Sequence, residues 1–384
     1  MKLKILFVIS ALATFTVSCK KTSSNNTSSS NAVVFVGSND HYVYAIDAAT
    51  GTSKWKFQTG DKVVSSPAYA NGKVFVGSTD NNLYAINAQN GDTAWMYNTG
   101  NDVWYACPLI VNDIVYVGST SDTVYAFKAT SMKPDKQAEV LWKFKAGGWI
   151  SNSVTYANNT IYVGCEDGKL YAVDAATGNK KWEFNTGSEI FTNPAVVGNI
   201  IYIGTRGGKL YAMEDKGTSA EKKWEFDTGN EVDGSPTVVD RTVYITSYND
   251  SLYALKTDLT NLTRDQRLNW KRYIGNGSYS SPFVENGIVY VNGGDSKLYA
   301  CKTTDGTDAW PPFISGDSGE ASPVVANGVL YVSSSNNNVY ALNARTGQPI
   351  WTQPFIADDD IISSPCVLTS DGKVIYSSIS GARQ

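Results

Sequence analysis

The segment Tyr171-Ala172-Val173-Asp174-Ala175-Ala176-Thr177-Gly178-Asn179-Lys180-Lys181-Trp182 returns, with substitutions, eight times along this chain. The Tyr-Ala pair recurs at Tyr44, Tyr84, Tyr125, Tyr171, Tyr211, Tyr253, Tyr299 and Tyr340. A tryptophan follows each one: Trp55, Trp95, Trp142, Trp182, Trp224, Trp270, Trp310 and Trp351. Five of the gaps are 11 residues; those after Tyr125 and Tyr253 are 17, and that after Tyr211 is 13. Length that varies at only one point of a repeat marks a surface loop there. A period of about 40–47 residues is that of a four-stranded propeller blade.

Outward from the Tyr-Ala strand, each repeat divides into four short strands. Ser65-Ser66-Pro67-Ala68-Tyr69-Ala70 represents the first, Lys73-Val74-Phe75-Val76-Gly77 the second and Leu83-Tyr84-Ala85-Ile86-Asn87 the third. The fourth carries the tryptophan. Val, Ile, Tyr and Phe fill the strands, and Gly, Asn and Asp fill the turns between them. No stretch sustains a helical apolar period; a short turn is expected within 130–138 or 258–267. A ring of sheets gives every blade two neighbours and leaves only short edges. The tryptophan suits such a ring, because burying one removes about 150–250 Å² from water. At about 25 cal/mol/Å² that is an upper bound of about 4–6 kcal/mol per indole. The Ser-Ser-Pro strand, with its small side chains, is expected innermost, where the blades crowd the axis.

The second-strand pattern appears nine times, finally as Lys373-Val374-Ile375-Tyr376, and the other three patterns eight times. The N-terminal repeat lacks an inner strand, and the C-terminal segment 363–368 lacks a tryptophan strand after it. Pairing the two ends completes an eighth blade. The reading is therefore all-β: an eight-bladed propeller of four-stranded antiparallel blades over 33–384, monomeric and closed by its own termini.

The unit Asp174-Ala175-Ala176-Thr177-Gly178-x-x-x-Trp182 resembles the tryptophan-docking repeat of pyrroloquinoline quinone (PQQ) propellers. Asp47-Ala48-Ala49-Thr50-Gly51-x-x-x-Trp55 and Ala341 to Trp351 carry it as well. That resemblance implies the fold over essentially the whole domain. It does not imply one function, because the family holds enzymes and non-enzymes. One branch is the quinoprotein dehydrogenases, with PQQ and calcium on the axis, paired adjacent cysteines and long insertions. The other is single-propeller lipoproteins resembling BamB of the outer-membrane assembly machinery, which bind protein. Here Cys107, Cys165, Cys301 and Cys366 are far apart, and the insertions total 14 residues in three loops. The second branch fits, with no PQQ, no calcium and no catalytic residue expected.

Ahead of the repeats lies an address. Lys2 and Lys4 precede an apolar run from Ile5 to Val17, too short for the ~20 residues a spanning helix needs. Residues 1–18 read as a signal peptide. Thr16-Val17-Ser18-Cys19 resembles a lipobox, although Thr16 stands where Leu is usual, and this implies lipid on Cys19. Residues 19–32, rich in Ser, Thr and Asn, read as a flexible tether. The reading is an exported protein held at the outer membrane by its N-terminal lipid. Loss of Lys2 and Lys4 from the 32 basic residues leaves a net charge of −6 against 36 acids. Nucleic acid is therefore not an expected partner.

Chemistry-bearing patterns are few. His41 is the single histidine and sits at a turn position held by Asn81 in the next repeat. The cysteines replace ordinary repeat residues and read as buried thiols. Asp40, Asp80, Asp167, Asp250 and Asp295 recur in turns, without the spacing of a calcium loop. Gly204 to Gly208 and Gly293-Gly294 join strand to strand and read as hairpin glycines. The repeats stop agreeing just before the inner strands, at Trp104, Tyr105, Trp149, Phe191, Glu231, Asp233, Tyr279 and Glu320. These aromatics and carboxylates read as a binding face at the channel mouth for an envelope protein or peptide; a small ligand or glycan is the alternative, and a packed plug of the channel is a third reading. Cys19→Ala is expected to release the protein from membranes, read as a shift from the detergent-dependent to the aqueous fraction; continued membrane retention would contradict the anchor.

Overall fold

Alternating β-branched and aromatic residues between Asn- and Gly-bearing turns make each repeat a meander. In the computed structural model, which describes residues 32–131, 133, 135–316 and 319–376, these meanders form eight antiparallel sheets. The signal peptide, Cys19 and the tether up to residue 31 lie outside the described residues. Blades 1 to 7 run consecutively from Ala68–Asn98 to Val324–Ile356, and blade 8 joins the two chain ends. In blade 8 the inner strand Cys366–Leu368 pairs with Val33–Gly37, and Tyr42–Asp47 and Ser53–Gln58 follow outward. The ninth copy of the second strand, Val374–Tyr376, pairs with the other, axial edge of Cys366–Leu368. It is a fifth strand of that sheet. Tyr376 is buried there in one cluster with Cys107, Cys366 and Ala68.

The tryptophans hold blade to blade. Trp95, Trp142, Trp182, Trp224, Trp270, Trp310 and Trp351 are buried and Trp55 is half-buried. Seven indole N–H groups donate across a blade boundary. Five of the acceptors are alanine carbonyls after the third strand of the next blade: Ala88, Ala129, Ala175, Ala344 and Ala48, at 2.9–3.1 Å. Trp270 uses the Thr303 carbonyl and Trp182 the Asp215 carboxylate. Trp351 to Ala48 closes the ring. The Thr-Gly turn exists to receive this ring system. Gly178 has φ +76°, and a Cβ there would stand 2.7 Å from the Trp142 indole. The Ala of each Tyr-Ala pair has a matching reason. Ala45, Ala85, Ala126, Ala172, Ala212 and Ala254 sit directly opposite the tryptophan of the neighbouring strand, where a larger side chain would collide with it.

Blade 4 departs from this pattern. Trp224 Nε1 has no acceptor among the described residues, and the Arg267 guanidinium lies 4.0 Å from its ring centroid. Arg267 belongs to the short helix Arg264–Arg267, inside the segment where the sequence predicts one, with Thr263 and Gln266 forming its capping box. Its guanidinium donates to the carbonyls of Lys256, Asp258 and Thr260, which satisfies a buried charge locally. In blades 6 and 7, Pro311, Pro312 and Pro354 remove ladder donors, and the outer strands shrink to Phe313–Ile314 and Phe355–Ile356.

A second belt runs at the axis. The inner-strand N–H of one blade donates to the serine of the next: Ser364 to Ser66, Ser235 to Ser281, Ser281 to Ser322 and Ser322 to Ser364, all at 2.9–3.0 Å. Asn193 to Ser235, Ser153 to Asn193 and Cys107 to Ser153 continue it. The Ser-Ser-Pro strand thus supplies acceptors as well as small size. Trp182→Ala should destabilise the fold by about 3–5 kcal/mol, since it opens a cavity and orphans the Asp215 contact. Urea unfolding of the two proteins measures this; a loss below about 0.5 kcal/mol would contradict the docking layer.

Candidate functional site

The loops that enter the inner strands gather at one face, because the acidic turns between second and third strands tie them there. Gly60 N–H donates to the Asp80 carboxylate at 2.7 Å, and Thr79 N–H to the Lys62 carbonyl. The chain enters on the opposite face, where the Ala32 carbonyl accepts from Ala48. Five of the loops are also pinned by an aliphatic side chain, Val63 over Gly37 being the first. Val103 fills a notch over Gly77, where a Cβ would lie 2.1 Å from it; Ile150, Ile190 and Val232 occupy the same notch over Gly118, Gly164 and Gly204. All five are fully buried. Their chain neighbours Trp104, Trp149, Phe191 and Asp233 are thereby presented at the axis.

There they border a cup of about 490 Å³. Of the residues singled out in the sequence, Trp104, Tyr105, Trp149, Phe191, Asp233, Tyr279 and Glu320 line it; Glu231 stands beside it without lining it. Trp149, Tyr105 and Tyr279 keep 48%, 43% and 40% of their surface exposed, so the aromatics wall the cavity without filling it. Trp104 and Tyr105 stack with ring centroids 5.4 Å apart, and Tyr248 meets Tyr279 edge-on at 4.9 Å. Ser66, Ser153, Ser235, Ser281, Ser322 and Ser364 of the axial belt also line it.

Sequence reasoning missed two charged lining residues. Arg206, in the Gly-rich hairpin turn, lays its guanidinium 3.5 Å from the Phe191 ring centroid. Its Nε donates to Asp233 Oδ2 at 3.3 Å, and Glu189 lies 3.6 Å away. Glu166, in the equivalent turn of blade 3, accepts from the Ser151 hydroxyl, and burial raises its carboxyl above the usual range. The position that follows them in the turn is structural in four blades, blade 3 included: Asp40, Asp80, Asp167 and Asp295 accept the hydroxyls of Tyr44, Tyr84, Tyr171 and Tyr299. The acidic turns therefore brace the Tyr-Ala strands. Among the described residues no group of three His, Cys, Asp or Glu side chains could hold a metal ion. Cys107, Cys165, Cys301 and Cys366 are buried free thiols. His41 has φ +73°, as Asn81 has +72°, so it is a turn residue with Asp61 at 3.6 Å.

Asp233 is the strained member of the wall. Its side chain is 1% exposed, and Oδ1 has no donor among the described residues. Burial pushes its carboxyl from 3.8 up to about 6, against the pull of Arg206. The folded protein thus holds this proton more tightly than the unfolded chain. Its contribution to stability is fullest below about pH 3.8 and is lost as pH rises through about 6. Measured by urea unfolding, the stability of the wild type relative to Asp233→Asn should fall between pH 4 and 7; a constant difference would contradict this environment.

The family model described as "Outer membrane protein assembly factor BamB" matches residues 11–104, 98–310 and 217–381. Among solved structures, the chain is similar to the crystal structure of BamB from Moraxella catarrhalis, at 17% identity and a TM-score of 0.63, covering 81% of this chain and 93% of that one. It is equally similar to the crystal structure of the computationally designed Ika8 protein, at 13% identity and a TM-score of 0.64, covering 82% and 95%. At such identities the likeness concerns the fold alone. No curated protein sequence matches the chain. The family match extends through nearly all the repeats described above, and the chain belongs to the BamB family of PQQ-like β-propellers.

Proposed function

We propose that this chain is a non-catalytic lipoprotein of the cell envelope, held at the outer membrane by lipid on Cys19, which uses its mouth to hold a protein or an extended peptide. The observation that carries this reading is the cup itself. Its wall is built from loop residues that differ from repeat to repeat on a frame that does not. Exposed aromatic faces beside carboxylates are the composition of binding hot spots. The family description supports a role in outer-membrane protein assembly.

The family match is what supports a non-catalytic reading. Asp233 and Glu166 are engaged by Arg206 and Ser151, and the four described cysteines are sealed in the core. Entry of the chain opposite the mouth leaves the cup accessible while the lipid is inserted. A small ligand or glycan is the second reading, favoured by the enclosed volume of the cup, which is in the range of small-molecule pockets.

Affinity capture from detergent-solubilised envelope decides between them. The wild type is expected to retain a protein partner that Trp149→Ala and Tyr279→Ala lose at least tenfold, with unchanged melting temperatures. Retention of no partner, together with saturable saccharide binding, would favour the second reading.

A further inference from the structure

The cup combines two features that together specify a charge. Its walls and rim carry five carboxylates, Glu166, Glu189, Glu231, Asp233 and Glu320, and the one guanidinium of Arg206. They also carry exposed ring faces. One half shows how these parts work together. There the Arg206 guanidinium lies flat on Phe191, 3.5 Å from the ring centroid, with Asp233 and Glu189 at its edge. The ring quadrupole and the carboxylates both attract a delocalised cation.

The other half has the same ingredients on other blades. Tyr105, Tyr279 and Glu320 come from three separate loops and converge closely enough that Glu320 and Tyr279, after burial, help push the Tyr105 hydroxyl up to about 12. Trp149 stands beside Ser151, which donates to Glu166. Two buried acceptors in the wall, Asp233 Oδ1 and Asn152 Oδ1, have no donor among the described residues. A cavity rich in acceptors and aromatic faces suits a ligand that brings donors and positive charge. An apolar ligand would cover these carboxylates without offering them a donor, and an anionic one would be repelled by them.

We infer that the cup binds a guanidinium or ammonium group on a flexible alkyl stem, supplied by an arginine or lysine of an extended polypeptide, between the exposed aromatic faces and the carboxylates of Glu166 and Glu320. This rests on the proposed reading of the cup as a binding site and adds the chemistry of what enters it. The serine belt beneath offers hydroxyls to the peptide backbone. The wide mouth accepts a chain passing across it, with one side chain pointing down the axis.

The test titrates the full-length protein with four probes. They are a capped five-residue peptide with one central arginine, the same peptide with neutral citrulline, spermidine, and maltotriose. Tryptophan emission and calorimetry report binding. The arginine peptide should bind saturably, and the citrulline peptide about tenfold more weakly or worse. Glu166→Gln and Glu320→Gln should each lower affinity for the arginine peptide without lowering the melting temperature. Equal affinity for arginine and citrulline peptides would overturn the inference. So would binding of maltotriose alone, or of spermidine without the arginine peptide, which would assign the site to a sugar or a free amine. Envelope capture that needs Trp149 but ignores both Gln variants would remove this inference and leave the proposed function standing.

Discussion

An indole laid across a blade boundary onto the turn of its neighbour is the contact on which the architecture rests. A four-stranded sheet cannot bury both faces alone, and each tryptophan solves half of that problem for two sheets at once. The ring system covers a glycine that has no side chain to obstruct it, while the indole N–H satisfies a carbonyl at the end of the next blade's third strand. Burial supplies the energy and the hydrogen bond supplies the direction. Because each blade leans on the next, an open row would leave one indole and one turn without partners. Trp351 on Ala48, and Cys366–Leu368 beside Val33–Gly37, remove that loose end.

The axial belt repeats the logic at smaller radius. Seven of the inner strands present a backbone N–H to a side-chain oxygen of the next blade, so blades are fixed at both the rim and the centre. Between these two constraints, five of the mouth loops are anchored by an aliphatic side chain seated over a glycine. The adjoining residue is then free to vary without disturbing the frame. That separation is why aromatics and carboxylates can be concentrated around the cup at no cost to the repeat.

The parts of this structure that recur were legible in the sequence. Eight tryptophans at one repeat position, each following Tyr-Ala, implied an interblade layer, and a missing inner strand at one end matched a surplus at the other. The lining residues Trp104, Trp149 and Phe191 were legible because they break the repeat. Arg206 was not. It sits in a glycine-rich hairpin, and its partners Phe191 and Asp233 belong to loops of two different blades, so only the ring brings them together. The axial place of Val374–Tyr376 was equally hidden, since its pattern is that of an ordinary second strand and only the free edge of Cys366–Leu368 decides where it goes. Arg267 replaces a turn against Trp224 through three carbonyl contacts that no local pattern announces.

Hydrogen exchange at the indole N–H groups probes the docking contact directly, because each of the ten tryptophans gives its own resonance. Slow exchange, governed by global unfolding, is expected for the six buried indoles that hold an acceptor in the next blade, and rapid exchange for Trp104 and Trp149 at the mouth. Repeat indoles that exchange as fast as those two would mean that the blades are not joined by their tryptophans.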